Sequence, residues 1–145
     1  MKRDCGVWIN ILSHTLKQRM NAALADLGVT GVQSRVIHYI LEHYKNGPVF
    51  QKNVEEAFGL SRSTTTGILQ LLEKNGVIQR ESVARDARLK SLVPTEKAAH
   101  MDARMHACIC EIEVMLTKDI SPGQLQLFLE IAAKMYQNLA DKVNG

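Results

Sequence analysis

Between residues 51 and 76, two runs of helical apolar period are separated only by Gly59-Leu60-Ser61. A break that short, containing a glycine, cannot hold a strand or a long loop; it turns one helix sharply into another. The first run, about 51–58, puts Val54, Ala57 and Phe58 inward. The second, about 62–75, uses Ile68, Leu69, Leu71 and Leu72. Ser61 is placed to cap the second helix and Gly76 to end it. The pattern is that of a helix-turn-helix.

The flanking segments extend this reading. Trp8, Leu12, Leu16, Met20, Leu24 and Leu27 recur at spacings of three and four, which predicts an amphipathic helix over 4–27 that stops at Gly28. Thr30 is an N-cap for a helix over about 31–45, with Val32, Val36, Ile37, Ile40 and Leu41 buried, and Asn46-Gly47-Pro48 breaks it. Val77–Val83 and Leu89–Val93 read as a hairpin with a charged tip over 84–88. Pro94-Thr95 opens a helix running to about 117. A last helix, about 122–143, carries Leu125, Phe128, Ile131, Ala132, Met135, Leu139 and Val143 on one side. The expected fold is mainly α with a small β-hairpin wing: a winged helix-turn-helix flanked by N- and C-terminal helices. Their apolar stripes outnumber the surfaces available to cover them, and a second copy of the chain is the simplest cover.

The second helix of the motif begins Ser61-Arg62-Ser63-Thr64-Thr65-Thr66-Gly67. Short side chains let a helix sit deep in a major groove, and serine and threonine hydroxyls reach phosphates or base edges. Arg62 suits a phosphate or a guanine edge, and the helix N-terminus offers backbone N–H groups to a phosphate. The opposing interpretation is an ordinary capped surface helix. Three consecutive threonines nonetheless weaken a helix without an evident packing reward. The DNA reading requires Thr64 and Thr65 to face outward, and the two recognition helices of a dimer to sit about 34 Å apart.

The hairpin adds Arg80, Arg85, Arg88 and Lys90 within eleven residues, against Glu81 and Asp86 alone. A hairpin directly after a recognition helix is a wing lying along the neighbouring minor groove, where an arginine gains from the enhanced negative potential. Asp86 would be repelled by phosphate, so its expected role is to hold an arginine by a charge-assisted hydrogen bond. Net charge is only +3, but residues 51–100 carry eight basic and six acidic side chains while 101–145 carry four and six. The C-terminal third is therefore expected to face away from phosphate. No apolar run approaches the roughly 20 residues of a membrane span. The N-terminal apolar stretch is broken by Asn10, Ser13 and His14, so neither a signal peptide nor a membrane is expected, and the cytoplasm is. Three cysteines, Cys5, Cys108 and Cys110, are too few for a disulfide framework.

With these pieces in order, the sequence resembles the MarR family, regulators named for multiple antibiotic resistance. The resemblance runs over essentially the whole chain: GVTGVQSRVIHYI in the second helix, FGLSRSTTTGILQLLEKNGVIQRE across the recognition helix and first strand, and RDARLKSLVPTEKA across the wing, with Asp86-Ala87-Arg88 as the family's Asp-x-Arg. It implies a homodimer knitted by the first and last helices and palindromic operators on double-stranded DNA. Its DNA-contacting positions fall between Ser61 and Gln70 and on Arg85 and Arg88, to which the basic cluster adds Lys90. Three residues depart from the pattern: Glu55 replaces a small alanine, Pro94 a leucine and Ala98 a glycine.

The resemblance also implies release by a small lipophilic or phenolic effector, with Trp8, His14, Tyr39, Met101 and Met105 as candidate lining residues. Against this stands their use as plain core or interface residues. Some relatives sense oxidants through a first-helix cysteine, and Cys5 lies where a helix dipole favours a thiolate. No metal or cofactor is expected. Cys108 and Cys110, two apart on a helix, diverge, and His38 and His43, five apart, align poorly. No Gly-rich phosphate loop, nucleophile elbow or His-x-x-x-His pair suggests an enzyme. Two readings stay open: a DNA-binding regulator, repressor action being part of the family expectation, and a winged-helix protein-interaction module without DNA binding. The expected division is a dimerisation helix over 1–30, a DNA-binding domain over 31–100 and dimerisation helices over 101–145.

Overall fold

The structure is a computed structural model and describes residues 4–140. In chain order it contains α1 (Cys5–Leu24), α2 (Gly31–Tyr44), α3 (Gln51–Phe58), α4 (Arg62–Lys74), the strands β1 (Ile78–Val83) and β2 (Asp86–Pro94), α5 (Glu96–Leu116) and α6 (Pro122–Ala140). It resolves into two compact units, residues 1–109 and 110–145, with the boundary inside α5.

Local chemistry sets the helix ends of the first unit. A 3-10 turn, Ala25–Leu27, closes α1 at Gly28, which takes a left-handed φ of 70°. Thr30 caps α2 through a reciprocal pair: its hydroxyl accepts from the Gln33 N–H at 3.2 Å and its own N–H donates to the Gln33 side chain at 3.0 Å. Gly59, at φ 60°, turns α3 into α4, a left-handed conformation that glycine adopts freely and that, among other residues, asparagine and aspartate tolerate best. Ser61 caps α4, accepting from the Thr64 N–H at 3.2 Å.

The core of this unit gathers one stripe from each helix: Leu24, Val36, Ile37, Ile40, Val54, Leu69, Leu72 and Met105, closed by Val77, Ile78 and Leu92 from the hairpin. Each fully buried aliphatic side chain contributes about 1.5–3 kcal/mol. Of the expected core residues, Ala57 is exposed and Leu71 keeps 39% of its surface. Leu71 lies off the stripe that Leu69 and Leu72 define.

β1 and β2 pair antiparallel from Ile78↔Pro94 to Ser82↔Lys90, with a bulge at Ser82/Val83 before Val83↔Asp86. The returning strand thus begins at Asp86, three residues earlier than the sequence suggests, because the bulge tightens the tip. Pro94 ends β2 instead of opening α5. Lacking an N–H, it sits at a strand end, and Thr95 takes over the bonding. The Thr95 N–H and hydroxyl both donate to the Val77 carbonyl, at 3.0 Å each. Ala98 is fully buried, so the departure from glycine fills core. The Leu92 N–H donates to the Val49 carbonyl at 2.7 Å, fastening the segment before α3 to the wing.

In the second unit, α6 follows Asp119, a non-glycine residue at φ 60°, and Ser121 caps it by accepting from the Gln124 N–H. Most of its apolar side chains are exposed, including Phe128, Ile131 and Leu139, while Leu125, Ala132 and Met135 are half-buried. The expected contact residue Val143 lies outside the described residues. No helix among the described residues is long and apolar enough to cross a membrane.

Candidate nucleic-acid interface

α4 turns a definite row outward. Arg62, Ser63, Gly67 and Gln70 are exposed and Thr66 is half-buried, and spacings of four carry the row along one face. Thr65 does not belong to it. It is fully buried, and its hydroxyl donates to the Ser61 carbonyl at 2.9 Å. The requirement that Thr64 and Thr65 both face outward therefore fails at Thr65: the DNA reading as framed on the threonines is overturned, and Thr65 leaves the set of candidate DNA contacts. It lies four and seven residues before Leu69 and Leu72, on the buried stripe.

The threonine run also has the structural reward it seemed to lack. Thr64 is exposed but accepts from the Ser61 hydroxyl at 2.9 Å, within the cap. Thr66 accepts from the Gln51 side-chain amide at 2.8 Å. Each hydroxyl has an intramolecular partner, so threonine abundance by itself no longer argues for DNA. The exposed row and the charges beside it point to DNA instead.

Gly67 keeps its interest. It sits in the middle of α4, and a Cβ built there meets nothing within 4 Å. A helix-interior glycine destabilises by about 1 kcal/mol relative to alanine, and nothing within the chain explains its choice.

The wing presents Arg85, Arg88 and Lys90, all exposed. Asp86 anchors Arg88 differently from expectation. Its carboxylate accepts from the Arg88 backbone N–H at 2.9 Å, not from the guanidinium. That local turn fixes where the Arg88 side chain starts. The Lys90 ammonium donates to its cross-strand neighbour Ser82 at 2.6 Å. Arg80 pairs with Glu73 of α4 at 3.3 Å, bracing the wing against the helix.

Between α3, the start of α4 and the wing runs an open groove of about 450 Å3, lined by Phe50, Gln51, Lys52, Glu55, Arg62, Arg80, Arg88, Leu89 and Lys90. Lys52, Arg62, Arg80, Arg88 and Lys90 oppose the single carboxylate of Glu55. Such a wall concentrates positive potential where a polyanion would lie. Sequence reasoning missed Lys52 and Gln51, because it weighed the second helix of the motif and not the first turn of the helix before it. Glu55 is half-buried and lines the groove.

A second cavity, about 400 Å3 and mostly apolar, opens between α2, α3 and the N-terminal part of α5. Tyr39 and Met105 line it, with Phe58, His43 and Ile109. Tyr39 stacks on His43 at a centroid distance of 3.9 Å and meets Phe58 edge-on at 5.6 Å. At its polar rim, His38 Nδ1 lies 3.0 Å from Asp102. The Lys45 ammonium, bonded to Glu42 at 2.8 Å, holds that carboxyl below the usual carboxylate range.

Trp8, His14 and Met101 do not join the lining of this cavity. Trp8 and His14 lie exposed on α1, and Met101 lines a smaller crevice with Leu27 and Leu72. Of the five residues expected to line an effector site, Tyr39 and Met105 line this cavity. Cys5 is exposed at the first residue of α1. Among the described residues no group of His, Cys, Asp or Glu is arranged to hold a metal ion.

The MarR family model matches residues 27–89, from the turn before α2 into the wing. MarR from Oenococcus oeni PSU-1 aligns over 92% of this chain and 99% of its own at 25% identity, with a TM-score of 0.68. A transcriptional regulator from Clostridium acetobutylicum assigned to the MarR family aligns over 92% and 96% at 28% identity, TM-score 0.69. MepR of Staphylococcus aureus, solved as a DNA complex, shares the fold over 94% and 96% at 20% identity, TM-score 0.78. The fold is common to all of them over more than nine-tenths of this chain. Over residues 27–89 this chain is similar to the MarR family, and it has the winged helix-turn-helix fold.

Proposed function

We propose that the chain is a transcriptional regulator that binds palindromic operators in double-stranded DNA as a homodimer. The observation that carries this reading is the convergence of Arg62 from α4 with Arg88 and Lys90 from the wing on one basic groove. In this reading Arg62, Ser63, Gly67 and Gln70 meet the major groove, with Ser61 and Thr64 at the phosphate-facing helix start. Arg85 and Arg88 follow the minor groove, and Lys52 and Lys90 neutralise phosphates between them. MepR, which shares the fold, has been solved on DNA.

Residues 31–100 supply the DNA-binding part, and 1–30 with 101–145 the dimer contacts. The apolar cavity beside Tyr39 and Met105 suits a small lipophilic or aromatic effector, since such sites are apolar with a few polar groups at the rim. Its position next to α3 suits control of the helix-turn-helix, so that the protein represses until an effector fills the cavity. Cytoplasmic action follows from a role on DNA.

The test is fluorescence anisotropy on random duplex and on fragments that the purified protein retains from genomic DNA, across a salt series. Six phosphate contacts predict roughly a 10³-fold loss of affinity between 50 and 200 mM salt. Binding that is absent at low salt, or flat across the series, would leave the protein-interaction reading instead.

Gly67→Ala gives a second check, because its two effects have opposite signs. It is expected to stabilise the fold by about 1 kcal/mol in urea unfolding, through helix propensity alone. It is also expected to weaken operator binding about tenfold, as the added methyl meets DNA where the chain itself offers open space. A variant both more stable and equally tight would take α4 out of the major groove.

A further inference from the structure

We propose that Gln51 is a positioning residue for DNA recognition, its side-chain amide clamping the first turn of α4 to the start of α3. The inference rests on the DNA-binding reading above and adds to it what sets the attitude of the recognition helix.

Gln51 is the first residue of α3. Its Nε2 donates to Thr66 Oγ1 at 2.8 Å and lies 3.4 Å from the Arg62 carbonyl, a second acceptor. A carbonyl can only accept, so the nitrogen and not the oxygen of the amide must face α4. Both N–H groups of that nitrogen are thereby used. The two acceptors are four residues apart, one helical turn, so the amide spans the opening turn of α4 instead of touching one point on it.

The covalent link between the two helices is only Gly59-Leu60-Ser61, and Gly59 is the residue type most tolerant of backbone rotation. Val54, Leu69 and Leu72 hold the helices together by apolar packing, which is non-directional. The Gln51 bonds are directional, and they lie on the groove side: Gln51 and Arg62 line the same basic groove as Arg88 and Lys90. One side chain thus ties α3 to α4 where Arg62 must be aimed. It also accounts for Thr66, whose hydroxyl serves this clamp.

The test is a double-mutant cycle with Gln51→Ala, Thr66→Val and the pair, measured on an operator fragment retained by the wild-type protein and on random duplex. Each single change is expected to lower operator affinity three- to tenfold, and the pair no more than the worse single. The ratio of operator to random-duplex affinity falls. The slope of log affinity against log salt stays at the wild-type value, because no phosphate contact is removed. Thr66→Ser, which keeps the acceptor oxygen, restores operator affinity. Additive losses, a salt slope shallower by about one, or a Thr66→Ser variant as weak as Thr66→Val would each overturn the clamp. A wild-type protein that binds neither duplex would overturn the DNA-binding reading itself, and the wild-type arm alone reveals that.

Discussion

Arg88→Ala is expected to weaken operator binding about tenfold to a hundredfold and to make the salt slope shallower by about one, with the fold and the mass in solution unchanged. The fold is spared because the Asp86 carboxylate holds the backbone N–H of Arg88, a bond that alanine keeps. The side chain itself is exposed and lines the basic groove, so its loss removes charge and reach without leaving a cavity. An arginine inserted beside a narrow minor groove meets a stronger negative potential than one on an open phosphate. For the same reason Arg88→Lys should recover only part of the loss: an ammonium supplies the charge but not the planar fork. Unchanged affinity and slope would remove the wing from the interface and leave Arg62 and Lys52 to account for any binding.

How far the sequence reached depends on whether the deciding interaction was local. Thr30, Gly59, Ser61 and Gly76 mark helix ends correctly because caps and left-handed turns involve residues within four positions of each other. The rotation of α4 was also readable, though it was misread. Counting back from Leu69 and Leu72 by four and seven lands on Thr65, which puts it on the buried stripe. A run of three identical threonines disguises that phase, since none stands out as apolar. Leu71 misled in the opposite way, being apolar but off the stripe.

The wing register turned on a bulge at Ser82/Val83, and no residue type there announces one. The lining of the apolar cavity was beyond reach for a different reason. Tyr39 and Met105 come from helices 66 positions apart in sequence, and only tertiary packing decides that they share a cavity while Trp8 and His14 stay outside it. Gln51 was missed because its bonds cross the turn to Arg62 and Thr66, eleven and fifteen residues away.

Leu139→Asp should convert the proposed dimer to monomer at micromolar concentration, a loss of more than about a hundredfold in association. In α6 the single chain leaves Phe128, Tyr136 and Leu139 largely in solvent, Leu139 with 72% of its surface. In α1 it leaves Val7, Trp8, Ile9, Leu12 and Leu16 exposed. Contiguous apolar surface of this kind on a helix marks a contact with another chain. If α6 lies in a two-fold interface, each substitution acts twice by symmetry. Each copy loses about 1.5–3 kcal/mol of burial and acquires a carboxylate that must be desolvated. Sedimentation equilibrium reads the mass directly. Operator affinity should fall with it, because a monomer loses the second half-site and the high effective concentration that the first one confers. Binding to random duplex should suffer less, since the basic groove lies in residues 50–90 and is untouched. A variant that remains dimeric would exclude Leu139 from the interface, whereas a monomer with undiminished operator affinity would show that one copy of the helix and wing suffices for recognition.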